Sequence, residues 1–231
     1  MQCIILAAGR GTRMKGLTEG MPKHLLQVGG KTLLEHKLDI LPSEIDEVIL
    51  VVGYMGSMIQ NYLGGLYGNK RLLYVEQEDS RGGSADALWS AKEVLHGKFL
   101  VMNGDNLYAG VDIRSCLSHE WAVLVKHLDK LDKAAKVVAD KKGRITNIFE
   151  REEHDGGEGY ANTGLYVLDL RIFDYKPVPK SPGSREFGLP QTMMQAARNI
   201  SIQAVPATFW VEIKTPEDLE KAEHMLKNLA T

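Results

Sequence analysis

Cys3-Ile4-Ile5-Leu6-Ala7-Ala8-Gly9-Arg10-Gly11-Thr12-Arg13-Met14 opens the chain with a short apolar run that two glycines close. An unbroken apolar run of this length is expected of a strand buried on both faces of a parallel sheet, with a tight turn at its end. Small residues and glycines let that turn direct several N–H groups at one point, an anion-binding concavity that Arg10 or Arg13 can reinforce. Two glycine motifs of nucleotide binders do not fit. A dinucleotide fingerprint needs a third glycine where Met14 stands and an acid after the second strand, where Val52-Gly53-Tyr54 has none. A P-loop built on Gly30-Lys31-Thr32 needs its first glycine where Leu25 stands.

Outward from this turn, Thr32-Leu33-Leu34-Glu35 fits a capping box, and Leu34, Leu38 and Leu41 continue it at helical spacing. Val48 to Val52, Leu72 to Val75 and Phe99 to Met102 read as strands, and Ala85 to Leu95 as an amphipathic helix that Gly97 stops, Ser84 being its N-cap candidate. Strands alternating with helices predict βαβ units, a mainly parallel sheet, and ligands at the strands' C-terminal ends. The second half alternates less: a strand at Ala122 to Val125, a hairpin over Lys136 to Glu150 turning at Asp140 to Gly143, and a strand over Asn162 to Leu168. A helix over Leu189 to Arg198, strands at Ile202 to Val205 and Thr208 to Ile213, and a helix from Thr215-Pro216-Glu217-Asp218 complete the reading. We expect one domain over 1–231, with a nucleotide-binding half (1–110) and an acceptor-binding, metal-completing half (111–231) on one sheet.

The chain has 231 residues, a formal charge of −2 and 44% hydrophobic residues, which excludes disorder and a collagen-like fibre. Near-neutral charge argues against a nucleic-acid binder. No apolar stretch approaches the ~20 residues of a membrane span, and the N-terminus lacks an export signal. Cys3 and Cys116 suit buried thiols in a reducing compartment, so the cytoplasm is expected. Residues 1–23 are locally basic, with Arg10, Arg13, Lys15 and Lys23 against Glu19 alone, which suits a small polyanion. The seven histidines show no metal-binding spacing, and neither cysteine sits where a nucleophile would.

In Met21-Pro22-Lys23-His24-Leu25-Leu26, Pro22 fixes the backbone before Lys23 and the leucines anchor it after, so the ammonium can be held at the turn's phosphates. Leu6-Ala7-Ala8-Gly9-x-Gly11-x-Arg13-Met14, then Leu17-Thr18, then Pro22-Lys23, resembles the signature of the sugar-1-phosphate nucleotidylyltransferases, the NDP-sugar pyrophosphorylases. The resemblance implies a three-layer, Rossmann-like (GT-A-like) α/β fold with a mainly parallel mixed sheet. It also implies that Gly9, Gly11, Arg13 and Lys23 hold the triphosphate of an NTP, with Leu6, Ala7, Ala8 and Thr12 also in the nucleotide-binding site. Gln77 with Gly82-Gly83-Ser84 is similar to the family's base-reading segment, giving Gln77 and Gly82 that role. Asn103-Gly104-Asp105, ending a strand at the sheet's carboxyl edge, suits Mg²⁺ coordination, and in the family this aspartate is a metal ligand.

Phe149-Glu150-Arg151 and Tyr160-Ala161-Asn162-Thr163-Gly164 resemble the acceptor segments, so Gly143, Glu150, Arg151 and Asn162 are expected at the sugar phosphate. Trp210-Val211-Glu212-Ile213-Lys214-Thr215-Pro216-Glu217-Asp218-Leu219 is similar to a late motif whose acid is the second Mg²⁺ ligand, here Glu212. Three positions depart from the pattern: Gly16 for a proline, Arg151 for a lysine, and Glu212 for an aspartate. The implied reaction is transfer of a nucleotidyl group from an NTP, UTP or dTTP favoured, to a sugar 1-phosphate of glucose type, with Arg13, Lys23 and Asp105 as catalytic residues and Mg²⁺ as cofactor. A homo-oligomer is compatible with the sequence. The alternatives are a cytidylyltransferase for phosphocholine or inositol phosphate, and a noncatalytic nucleotide-sugar-binding regulatory subunit. No room is expected after Leu229 for an appended hexapeptide-repeat domain.

Overall fold

A computed structural model describes residues 1–79, 81–132 and 134–229. Four strands, β1 (Gln2–Ala7), β2 (Glu47–Val52), β3 (Lys70–Glu76) and β4 (Lys98–Asn103), lie parallel in the order β4-β1-β2-β3. Side chains alternate across a strand, and β1 shows why both faces had to be apolar: Ile5 joins one core cluster with Leu34, Leu38 and Leu50, and Ile4 the other with Ile49, Ala85 and Leu88. Helices therefore cover both faces, making three layers. They are α1 (Leu33–Ile40), α2 (Gly56–Leu63), α3 (Gly83–Ser90), α4 (Gly110–Leu117), α5 (Leu189–Ala196) and α6 (Pro216–Leu229). The capping box at α1 is formed, Thr32 Oγ1 accepting from the Glu35 N–H at 3.1 Å and Glu35 accepting from the Thr32 N–H at 2.7 Å.

Parallel pairing is concentrated in the first half. After the short β5 (Asn106–Tyr108) come β6 (Trp121–Leu128), the hairpin β7 (Lys136–Ala139) and β8 (Ile145–Phe149), and the long β9 (Gly159–Asp169). β9 runs antiparallel to β4 through Leu165 to Asp169 and to β6 and β7 through its earlier residues, which extends the sheet as a mixed one. β10 (Ile202–Pro206) pairs parallel with β6, and β11 (Trp210–Glu212) leaves the sheet to pair with β5, Glu212 lying opposite Asn106.

Two expectations change. Helix α3 ends at Ser90 rather than Leu95, because Ala91 leaves the helical region and a single 3-10 turn, Lys92–Val94, follows. Ser84 does not cap α3; its hydroxyl accepts the Leu189 N–H at 3.0 Å. A third cluster of Met14, Leu26, Val28, Leu33, Leu107, Val211, Ile213 and Ala222 packs the turn after β1 against β11 and α6. Met14, where a dinucleotide fold would carry glycine, is the buried plug of that turn. No helix among the described residues is long and apolar enough to cross a membrane.

Candidate active site

Strands β1, β2 and β4 end together, and the turn after β1 sits over their carboxyl edge. Gly11 is left-handed at φ +66°, and a Cβ there would stand 2.8 Å from Lys23 Cβ, so only glycine lets Lys23 close against the turn. Lys23 is buried, and its Nζ donates to Asp105 Oδ2 at 2.8 Å. Gly104 brings Asp105 there: its N–H donates to the Leu6 carbonyl, and a Cβ would collide with that oxygen and the His24 ring. Burial pushes the Asp105 carboxyl up, but the charge and hydrogen bond of Lys23, with His24 and Lys37 behind, pull it below the usual carboxylate range. Asp105 is therefore a carboxylate at neutral pH.

Glu212 projects from β11 into the same region, held at 2.7 Å by Lys214 Nζ. Burial raises its pKa; Lys214 lowers it, the Asp105 charge raises it, and it ends above its ordinary value. Asp105 and Glu212 line one cavity of about 700 Å³ together with Leu6, Gly9, Arg13, Glu150, Arg151 and Asn162. A smaller adjoining space of about 290 Å³ is walled by Gly9, Gly11, Thr12, Arg13, Lys23 and Lys214. Arg10 and Arg81 complete its positive lining, giving five cationic side chains against Asp105 and Glu186. Such a concavity attracts a polyanion.

Other expected residues lie elsewhere. Ala7 and Ala8 are buried beneath the turn rather than facing the cavity, and Ala8 packs against Gly53. Gln77 and Gly82 line neither space: the Gln77 amide donates to Asp86 Oδ2 at 2.8 Å and to the Gly83 carbonyl, and the Gly82 carbonyl accepts the Phe187 N–H at 2.7 Å. Both are used in building the start of α3, which leaves Gly83 and Ser84 on the cavity wall. Gly143 is a correction too. It forms the left-handed turn of the β7–β8 hairpin against Gln203, at the opposite end from Glu150, because β8 carries the chain between them.

Elsewhere on the cavity wall, Glu150 Oε1 accepts from Gln191 Nε2 at 2.7 Å, and Asn162 Nδ2 donates to the Tyr166 hydroxyl at 2.9 Å. Arg151 lines the cavity while its guanidinium bonds the Asp132 and His154 carbonyls. Gln191, Lys180, His24 and Lys214 are cavity residues that sequence reasoning missed. Lys214 sits at a variable position of the late motif, and Gln191 is hidden in an amphipathic helix; only its contact with Glu150 marks it. His24 is buried, which brings its imidazole down to about 3, with Asp105 raising it and Lys23 and Lys37 lowering it, so the ring is neutral. Among the described residues no group of three or more His, Cys, Asp or Glu side chains is spaced to hold a metal ion unaided. Two carboxylates in one cavity do suit a hard cation of Mg²⁺ type, which takes one or two protein carboxylates and fills its shell with water and substrate phosphate.

The sequence model of the nucleotidyl transferase family matches residues 2–228. The chain is 28% identical over 99% of its length to "Bifunctional protein GlmU" of Methanococcus vannielii, covering 56% of that protein. It thus spans about half the length of the curated GlmU relatives it matches. It is 28% identical to "UTP--glucose-1-phosphate uridylyltransferase AglF" of Haloferax volcanii, covering all of this chain and 98% of that one. Its fold is similar to the solved inositol-1-phosphate CTP transferase of T. maritima, with TM-score 0.78 and 24% identity over 98% of this chain and 95% of the other.

Proposed function

The chain belongs to the nucleotidyl transferase family, and we propose that as such it transfers the nucleotidyl group of an NTP, UTP or dTTP in preference, to a glucose-type sugar 1-phosphate, giving an NDP-sugar and pyrophosphate. A phosphate oxygen of the acceptor attacks the α-phosphorus in line; the new P–O bond forms as the α–β bridging P–O bond breaks, and the electron pair leaves with pyrophosphate. The attacking oxygen is already anionic, so no general base is needed. The obstacle is the approach of two anions, and catalysis rests on positioning and charge neutralisation.

One observation carries this reading: the carboxyl groups of Asp105 and Glu212 share a cavity with the glycine turn at one end and Glu150 and Asn162 at the other. Gly9, Gly11, Thr12, Arg13 and Lys23 would cradle the triphosphate, and Glu150, Asn162 and Arg151 the sugar phosphate. Asp105 and Glu212 would hold Mg²⁺, which when bound neutralises phosphoryl charge as a Lewis acid. The uridylyl preference is supported by the likeness to AglF over nearly the whole of both chains. A second reading, cytidylyl transfer to inositol 1-phosphate, is favoured by the likeness of fold to the T. maritima enzyme. The test is pyrophosphate release with Mg²⁺ over a matrix of UTP, dTTP, CTP, ATP and GTP against glucose 1-phosphate, N-acetylglucosamine 1-phosphate, inositol 1-phosphate and phosphocholine. Release with UTP or dTTP and a sugar 1-phosphate is expected. Release with CTP and an alcohol phosphate alone selects the second reading, and nucleotide binding without release from any pair defeats both in favour of a noncatalytic role.

A further inference from the structure

Asp105 and Glu212 each carry a lysine, at 2.8 and 2.7 Å, but the two ion pairs differ in mobility. The Lys23 side chain is 6% exposed and wedged against Gly11, which leaves it no other place to go. The Lys214 side chain is 25% exposed. Its backbone is pinned, since the N–H groups of Lys214 and Thr215 both donate to Asp218 Oδ2 at 2.9 and 2.8 Å. A four-carbon stem on a fixed base is thus free to swing its ammonium between neighbouring partners. Lys214 lines both the large cavity, which it shares with Glu212, and the small cationic one, which it shares with Gly9, Arg13 and Lys23.

A divalent cation held by both carboxylates would compete with the two ammonium groups for them and would leave the cluster with two surplus positive charges. Repulsion at these distances favours release of an ammonium, and Lys214 yields before Lys23 because its side chain is the more exposed, 25% against 6%, while the two carboxylates are alike at 26% and 27%. The nearest new anion is a phosphate in the small cavity. We propose, resting on the reading of the preceding subsection, that Lys214 competes with the divalent cation for Glu212 and, once displaced, becomes a phosphate ligand beside Lys23. A group that costs metal affinity in the free protein thereby adds phosphate affinity in the complex, so metal and phosphate bind with positive coupling.

Two titrations on the full chain test this, with wild type, Lys214→Met and Lys214→Arg. Mn²⁺ binding without nucleotide, followed by the electron paramagnetic resonance of the free ion, is expected to tighten ~3–10-fold in Lys214→Met, the scale of removing one partly exposed ion pair and its charge. Inorganic pyrophosphate binding with saturating Mg²⁺, followed by calorimetry, is expected to weaken ~10-fold in the same variant, the loss of one charged hydrogen bond. Lys214→Arg should stay within a few-fold of wild type in both. Mn²⁺ affinity equal to or below wild type in Lys214→Met overturns the competition. Unchanged pyrophosphate affinity makes Lys214 only a partner of Glu212, and overturns the proposal as well. Neither titration needs turnover, so a wild-type protein inert in the NTP and acceptor matrix would defeat the catalytic reading while these measurements still decide the part of Lys214.

Discussion

Lys23 and Lys37 are both lysines taken out of water, and they answer to opposite logic. Lys23 is compensated by Asp105, to which its Nζ donates at 2.8 Å beside the glycine turn. Lys23→Ala should still bind nucleotide but release pyrophosphate at least ~10²-fold more slowly, the scale for one preorganised charge stabiliser; near-normal turnover would remove Lys23 from the chemistry. Lys37 is fully buried on α1, and among the described residues its Nζ donates only to its own helix's Leu33 carbonyl, at 3.1 Å. Burial lowers it to about 7, with Asp105 raising it, Lys23 lowering it and Cys3 raising it. Between about 7 and its unfolded value of 10.5 the unfolded chain holds the proton and the folded chain does not. Stability should therefore rise with pH across that window, by at most ~1.4 kcal/mol per unit, and carry its full penalty below it. Urea melts at pH 6 to 10 check this, with Lys37→Met expected to be more stable at pH 6 and to lose the rise.

At the scale of elements, the turn after β1 is held less by hydrogen bonds than by one side chain. Met14 is fully buried among Leu26, Val28, Leu33, Val211 and Ile213, so it fastens the glycine turn to the strand that presents Glu212. Met14→Ala should cost ~2–5 kcal/mol as a cavity. It should also raise the KM for NTP more than it lowers kcat, because it loosens the cradle and leaves its charges in place; steady-state kinetics beside a denaturant melt separate the two. β1 and the start of α1 were legible because apolar runs and capping boxes are local patterns, and Thr32 and Glu35 carry theirs within one turn. Gly143 was misplaced because a hairpin's direction is set by its pairing partners. The turn points toward Gln203 only because β7 pairs with β9. Gln191 was missed for a similar reason: 41 residues separate it from the Glu150 carboxylate it holds.

For the whole molecule, residues 1–110 and 111–231 are one structure. β9, from the second half, pairs with β4 of the first along Leu165 to Asp169, and the third core cluster draws side chains from both. A chain cut into 1–110 and 111–231 would lose the β4–β9 ladder of the ten-stranded sheet and leave an unpaired strand edge on each piece. We expect neither fragment to give a cooperative melt by circular dichroism alone, and the intact chain to unfold in one transition. A separate two-state melt of 1–110 would show the halves to be independent domains.

The segment that closes the cavity between α3 and α5 is held by the Phe187 N–H on the Gly82 carbonyl, the Leu189 N–H on Ser84 Oγ, the pairing of Phe187–Gly188 with Val178–Pro179, and the Lys180 N–H on the Glu186 carbonyl. Just before them Ser181, Pro182, Gly183 and Arg185 are exposed on the surface, outside the sheet. Trypsin is therefore expected to nick the folded protein after Arg185 ahead of its other basic sites. Such a nick would leave the strands paired and the mass of the molecule intact under native conditions, yet cut the covalent link across the tip of the lip that overhangs the pocket.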